Sequence, residues 1–456
     1  MPREVSSQDI EAFVRGGTVL SRRRFLRLAA AAPVAAAASG ALVKSAFAQS
    51  VPEDPTKVLG LPATDISRGR SPFEQPRRTA GLPGYAGMPV SSSTDQRNFL
   101  GMLTPSDMHF ERTHAGVPQI DPSRYQLLIH GMVERPMVFT LDDLKRLPQI
   151  SQMHFVECSG DSSGHWNLNG LASTATILQT HSIYSSSEWT GTPLEILFRA
   201  VGAKPDATWF LAESYDGAAM TRSVPMSKGW DDGFIAYGQN GEAVRPEQGY
   251  PARVLLPGWE GNINVKWVRR IEVSDRPFFT REETSKYTDP IPFAGQARWF
   301  TQEWDAKSVI THPSPGLDIA GPGLVELRGL AWSGRGKIAQ VEVSTDGGRS
   351  WDFATLEEPI FTKAATRFRY PWAWTGGEAV ILSRATDETG YVQPTRNELL
   401  AARGQSSYHF NGIQAWKVNS DGRLTHTYHE SLAASLDSVP IALAGPWPFA
   451  ADCGQA

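Results

Sequence analysis

The chain has 456 residues, a net charge of −4, 41% hydrophobic residues and 20% charged ones. Beyond the N-terminal segment no basic run occurs, which excludes nucleic acid as a partner, because neutralising phosphates takes clustered Lys and Arg. Two cysteines, with no CxxCH and no zinc-like Cys/His spacing, exclude an attached c-type haem and a structural zinc site.

The N-terminus speaks to the compartment. Arg22, Arg23 and Arg24 precede Phe25, Leu26 and an Ala-rich apolar run that ends at Ala46-Phe47-Ala48. A basic stretch, a modest apolar stretch and a small-x-small cleavage site make an export leader, and Ser-Arg-Arg-x-Phe-Leu is the twin-arginine pattern. The run from Leu28 to Val43 contains Pro33, is mostly alanine and falls short of the ~20 residues a membrane span needs. Residues 1–48 are therefore expected to be a cleaved signal peptide, and the mature protein periplasmic. Twin-arginine export carries folded proteins, so it favours an enzyme that receives its cofactor before export.

Residues 49–105 are rich in Pro, Gly, Ser and Arg and lack periodicity, as an extended arm would be. Globular texture begins at about residue 106. "YQLLIHGMV" (Tyr125 to Val133) alternates like a half-buried strand. "TLDDLKRLP" has a Thr cap, an acidic first turn, a basic last turn and a Pro stop, the marks of a short helix. "HFVECSG" is a strand running into a Gly turn. In "TPLEILFRAVG", Leu194, Leu197, Phe198 and Val201 share one helical face and Gly202 ends it. Strands alternate with short helices to about Ile271, so residues 106–303 form a mixed α+β domain.

From Trp304 the texture turns to β alone. "GLVELRGLAWSG", "KIAQVEVSTDGGRSW", "FRYPWAWT" and "EAVILSRATDETG" are alternating strands at sandwich spacing, with a hairpin turn at Asp346-Gly347-Gly348. An immunoglobulin-like β-sandwich over 304–420 fits, without the disulfide of antibody domains. Residues 421–456 are left as a non-helical tail that packs on a neighbour.

"HFVECSGDSSGHW" places Cys158 among small, turn-forming residues. Three roles compete: a disulfide with Cys453, which an oxidising compartment permits; a buried inert thiol, which polar surroundings disfavour; and a metal thiolate, for which a glycine turn allows close approach.

In order along the chain, "ECSGD", "WTGTPLEILFRAVGA", "ESYDGAAMTRSVPM", "FIAYGQNGEAV", "QGYPARVLLPGWEGNINVKWVRRIEV" and the β-region through "RATDETGYVQP" resemble the sulfite oxidase family of molybdenum enzymes. The resemblance runs from Asp107 to Val418. Within the family, the leader and "YHFNGIQAWKV" most resemble the sulfane dehydrogenase branch. The implied architecture is α+β: a sulfite-oxidase-type molybdopterin domain followed by an immunoglobulin-like dimerisation domain. The implied cofactor is molybdenum-molybdopterin, with Cys158 as the metal-ligating thiolate, a soft donor suited to such a metal. Cys453 then becomes the odd cysteine.

The resemblance also implies that Arg253 and Lys266 bind the phosphate-bearing pterin, where a guanidinium forks and an ammonium acts as a compact charge. Asn264 and Val265 match neighbours of that phosphate. Gln248 stands where the family usually has His or Asn. His114, Asp216 and Thr190 match further contact positions. Arg112 matches an arginine near the metal suited to an anionic sulfur group. Tyr287 matches a tyrosine that hydrogen-bonds near the metal and assists proton movement.

One departure bears on the substrate. Sulfite-oxidising members read Cys-x-Gly-Asn-Arg-Arg, whereas this chain reads Cys158-Ser159-Gly160-Asp161-Ser162-Ser163. Fewer cations beside the metal weaken capture of a small dianion and leave room for a sulfur chain on a protein arm. The expected activity is oxidation of carrier-bound sulfane sulfur, with electrons passed to a c-type cytochrome subunit and two copies of this chain at the centre. Rival expectations are a sulfite dehydrogenase acting on free sulfite, a methionine sulfoxide reductase subunit, disfavoured by the appended sandwich, and a non-enzymatic sandwich protein with a Cys158–Cys453 bridge.

Overall fold

The computed structural model describes residues 2–14, 75–80, 91–167, 170–291, 295–299, 301–404, 406 and 408–428. The leader's arginines, the expected cleavage site, Cys453 and the tail beyond residue 428 lie outside the described residues.

Two sheets build the first domain. A six-stranded sheet runs in the order Arg3–Glu4, Met137–Thr140, Gln126–Gly131, Val268–Ser274, Trp209–Ser214, Thr221–Pro225. All its pairings are antiparallel except that between Gln126–Gly131 and Val268–Ser274. The other sheet runs Glu242–Ala243, Phe234–Gln239, Tyr184–Pro193, Ile150–Glu157, with Arg253–Leu255 also paired to Phe234–Gln239. The helix Leu194–Val201 sends Leu194, Leu197, Phe198 and Val201 into a core shared with Leu127, Phe210, Ile235 and Val254 from both sheets. Gly202 closes it at φ 66, a left-handed turn that suits glycine. The helix Leu141–Arg146 starts on a capping box in which Thr140 and Asp143 satisfy each other's backbone N–H groups.

One strand departs from the sequence expectation. Gln126–Gly131 does not alternate; Leu127, Leu128 and Ile129 are all fully buried. The reason is a covered second face. Residues 2–14, expected to belong to the leader, add the edge strand Arg3–Glu4 and the helix Ser7–Val14, so that Val5 and Phe13 pack on Leu128 and Val138.

The second domain is a sandwich of two sheets. One is ordered Lys307–His312, Gly323–Trp332, Thr366–Trp374, Thr355–Leu356; the other Asp352–Phe353, Ile338–Ser344, Ala379–Asp387, Ala415–Val418, Leu424–Thr427. Trp304, Trp332, Trp374 and Trp416 fill its core. The Asp346-Gly347-Gly348 turn joins paired strands with both glycines at positive φ. The domain is not β throughout: Arg396–Arg403 is a helix, capped by Thr395 and Glu398. The sandwich also continues past residue 420, because Leu424–Thr427 pairs with Ala415–Val418 and buries Leu424 and His426.

The arm ties the two domains together where it is described. Ser91–Ser93 pairs with Glu111–Arg112 of the first domain, while Phe99 enters the sandwich core. A buried chain from Glu260 through His409 to Asp305, with both ring nitrogens 3.1 Å from their carboxylates, crosses the same junction. No helix among the described residues is long and apolar enough to cross a membrane.

Candidate active site

Cys158 leaves the strand Ile150–Glu157 on a tight turn: its N–H donates to the Ile183 carbonyl at 3.0 Å and its carbonyl accepts from Asp161 N at 2.9 Å. Its sulfur is free, and burial pushes the thiol up to about 11. Without a cation the group is therefore a neutral thiol; a bound metal is what makes the thiolate favourable.

Cys158 opens into a partly enclosed cavity that it lines with Arg112, His114, Arg253, Lys266 and Tyr287. The segment from Arg253–Leu255 through the turn Gly261–Ile263 to Lys266 contributes Arg253, Gly261, Asn262, Asn264, Val265 and Lys266 to the cavity wall. Gly261 lies so close beneath the cysteine turn that a Cβ there would sit 2.7 Å from the Glu157 carbonyl oxygen. Only glycine brings the two loops this near. Gly249, at φ 114, similarly lets Arg253 and Lys266 converge.

Among the described residues the cavity gathers three cations, Arg112, Arg253 and Lys266, against the single carboxylate of Asp216. Arg253 is buried, donating to the carbonyls of Gln248 at 2.9 Å and Asn264 at 3.0 Å while its Nε has no partner. Lys266 donates to the carbonyls of Arg112 at 3.0 Å and Glu247 at 2.9 Å. Among the described residues neither cation has a carboxylate within ion-pair distance. Burial lowers Arg253 to about 9; burial, then the Arg253 charge, lowers Lys266 to about 7. Such groups call for an anion.

Lys266 makes this testable. Its unfolded value is about 10.4, so between pH 7 and that value the unfolded chain binds more protons than the folded one. Stability of the cofactor-free protein accordingly rises with pH across the window, whereas a bound phosphate keeps the ammonium charged and removes the effect. The gap in melting temperature between cofactor-loaded and cofactor-free protein is expected to be widest below pH 7 and to narrow towards pH 9. A gap independent of pH would contradict the assignment.

Arg112, His114 and Tyr287 line the cavity with Cys158. The Tyr287 hydroxyl lies 3.3 Å from His114 Nε2. Burial, then the Arg112 charge, lowers His114 to about 3, so the ring is neutral, and burial raises the tyrosine well above its ordinary value. Tyr287 follows a π-helical turn, Glu282–Lys286, and the Arg222 guanidinium sits 5.1 Å over its ring. Arg222 is itself held by Glu283 at 3.3 Å and Asn262 at 2.5 Å.

Asp216, Gln248, Asn264 and Val265 also line the cavity. Asp216 accepts from the Ser214 hydroxyl, and Gln248 donates to the Phe110 carbonyl at 2.8 Å. The Asn264 side chain is spent on its own loop, accepting from Leu256 N at 2.7 Å and donating to the Glu260 carbonyl at 2.9 Å. Its contribution is to shape the wall. Thr190 is not part of the site. Its hydroxyl pairs with Ser151 at 2.7 Å on the other face of the strand Tyr184–Pro193. Alternation instead turns Trp189 inward, with the Arg253 guanidinium 5.1 Å over its ring.

Sequence reasoning missed His109, Thr113 and Trp267. All three line the cavity, and His109 Nε2 and Thr113 Oγ1 are buried without partners. His109 directly precedes, and Thr113 lies within, the stretch Phe110 to His114 that contains Arg112 and His114, which was the available signal.

These residues fit a thiolate-ligated metal with an anionic organic carrier. Among the described residues no group of three or more His, Cys, Asp or Glu is placed to hold a metal. A metal at Cys158 must therefore bring its other ligands with it. The buried polar atoms without partners, and the two cations without an ion-pair partner among the described residues, suit a phosphate-bearing carrier.

Comparison with known proteins agrees. A model described as an oxidoreductase molybdopterin binding domain matches residues 114–281, and one described as a Mo-co oxidoreductase dimerisation domain matches residues 298–415. The crystal structure of the sulfane dehydrogenase SoxCD from Paracoccus pantotrophus is 42% identical with a TM-score of 0.77, covering 82% of this chain and 99% of that one. The chain belongs to the sulfite oxidase family of molybdenum enzymes. Its family relatives include the mitochondrial sulfite oxidase of Drosophila melanogaster, 28% identical over 72% of this chain, and the NADH nitrate reductase of Ulva prolifera, 30% identical over 64%. The chain spans 62% and 38% of those two proteins. The family's cofactor is molybdenum held by molybdopterin. In this member Cys158 would ligate the metal, and Arg253 and Lys266 would hold the carrier's anionic end.

Proposed function

We propose that this protein is the molybdenum subunit of a periplasmic dehydrogenase that oxidises sulfane sulfur presented on a carrier protein and passes the electrons to a c-type cytochrome subunit. The observation that carries the reading is the turn after Cys158. Asp161, Ser162 and Ser163 contribute no cation of their own, and Arg112 is the guanidinium whose charge acts on all three of Cys158, His114 and Tyr287, with Lys286, Lys266 and Arg281 also acting on His114 and Arg222 on Tyr287. A small dianion is poorly held there, whereas a larger substrate with one anionic end is accommodated. The 42% identity to a sulfane dehydrogenase over 99% of its chain supports the same choice. The sandwich is the expected contact between two copies, and a twin-arginine leader at residues 1–48 is the basis for placing the protein in the periplasm.

When bound, the cofactor supplies oxygen-atom exchange between water and sulfur, with electrons leaving one at a time. The protein's own contribution is electrostatic and geometric. Arg112 orients the anionic sulfur group towards the Cys158 side of the cavity. Tyr287, neutral and hydrogen-bonded to neutral His114, holds a proton at its Oη in the cavity that Cys158 lines. Tyr287→Phe is expected to lower turnover by about a hundredfold or more while leaving molybdenum content unchanged. Loss of the metal in that variant would place Tyr287 in cofactor retention instead.

Steady-state kinetics on the purified complex tests the substrate. Turnover confined to carrier-bound sulfane sulfur is the expected outcome. Equal or faster turnover on free sulfite would replace the reading with a sulfite dehydrogenase, and several relatives are named sulfite oxidase.

A further inference from the structure

Lys307 is completely buried, and its position is not explained by the cavity, which it does not line. It begins the strand Lys307–His312 of the sandwich, yet its ammonium reaches the other domain. There it donates to Glu157 Oε1 at 2.6 Å, Asp161 Oδ2 at 3.2 Å and Ser162 Oγ at 2.8 Å. An ammonium has three protons, and all are used. Glu157 and Asp161 bracket Cys158 in sequence, and Asp161 Oδ1 accepts from Ile183 N at 3.0 Å. Two further sandwich side chains act on the same turn: Trp332 Nε1 donates to Glu157 Oε2 at 2.6 Å, and Trp304 Nε1 donates to the Glu157 carbonyl at 3.2 Å. Both indole rings lie within 6 Å of the ammonium, at 5.3 and 5.7 Å.

The segment from Ser159 to Gly164 contains no cation of its own. Without Lys307 it would leave two carboxylates facing each other in a dry slot, which drives such groups apart or protonates them. We propose that Lys307 is a positioning residue: the sandwich domain sets the bearing of the Cys158 sulfur through it, so that correct seating of the metal depends on docking of the second domain. The role concerns the metal ligand and is independent of which sulfur compound is oxidised. It also gives the sandwich a task besides contact between copies.

Three variants of the full-length protein test this, each matured in a host that makes molybdopterin. Lys307→Met leaves both carboxylates unpaired and is expected to reduce molybdenum content at least tenfold, as loss of outer partners of a metal ligand does. The combined variant Lys307→Met, Glu157→Gln, Asp161→Asn keeps the side-chain sizes and removes the unpaired charge. It is expected to fold and bind molybdenum, but with a displaced electron paramagnetic resonance spectrum of the partly reduced metal and a kcat lowered 10- to 100-fold at unchanged KM. Trp332→Phe keeps an aromatic ring against Tyr184, whose centroid lies 4.1 Å from that of Trp332, and removes the hydrogen bond to Glu157 together with part of the indole's packing and its contact with the Lys307 ammonium. It is expected to show the same spectral displacement to a smaller degree. A wild-type spectrum in Trp332→Phe, wild-type molybdenum content in Lys307→Met, or a wild-type spectrum and kcat in the combined variant would each overturn the proposal. Turnover of the wild-type protein on sulfur compounds, measured alongside, reports separately on the substrate assignment.

Discussion

Cys158→Ser is expected to leave a folded protein that retains no tightly seated molybdenum and shows no measurable turnover. The substitution removes one soft donor and changes almost nothing else. Serine is close in size, and the turn around it is held by a backbone hydrogen bond from Cys158 N to the Ile183 carbonyl, one from Asp161 N to the Cys158 carbonyl, and the Lys307 slot, none of which involves the sulfur. A hydroxyl is a harder and much less acidic donor, so it does not replace a thiolate on this metal. Loss of outer partners of a metal ligand alone costs roughly 10–100-fold, and loss of the protein's own ligand should exceed that. Metal analysis and turnover on the same preparation check it. Wild-type turnover in the serine variant would remove Cys158 from the chemistry.

Arg253→Met is the second large effect. The guanidinium donates to two carbonyls and lies over the Trp189 ring, and its buried Nε has no partner. Truncating one member of a buried, hydrogen-bonded charge pair costs about 2–5 kcal/mol, or roughly thirtyfold or more in affinity. Part of that loss is the Gln248 and Asn264 carbonyls left unpaired. Cofactor content of the purified variant should fall accordingly, and Arg253→Lys should recover only part of it, because an ammonium cannot fork. Full occupancy in Arg253→Met would show that the carrier's anionic end lies elsewhere.

What could be read in advance followed local rules. The helix Leu194–Val201 was legible because its four apolar residues fall on one face and Gly202 ends it. Cys158 was singled out by its Ser, Gly and Asp neighbours, its role as metal ligand came only through the family resemblance, and the structure places it on the cavity wall. Arg253 and Lys266 followed from matched motifs, and the structure brings both to one cavity with Arg112, His114 and Tyr287. Thr190 failed on parity: on a strand a shift of one residue moves a side chain to the other face, and here Trp189 takes the inner one. The helix Arg396–Arg403 carried a Thr395-x-x-Glu398 start signal that surrounding β texture concealed. The double burial of Gln126–Gly131 depends on residues 2–14, more than a hundred positions away, and no period within the strand reports it. Lys307 is separated from Glu157 by 150 residues and looks in sequence like any other lysine. Contacts of that range are set by how two domains dock, which local pattern does not encode.

X-ray absorption at the molybdenum edge, on protein matured in a host that makes molybdopterin, bears most directly on the whole account. The wild-type protein should hold one metal per chain and show a sulfur neighbour that disappears in whatever molybdenum remains bound to Cys158→Ser. A wild-type chain empty of molybdenum, or an identical sulfur shell in both proteins, would contradict it.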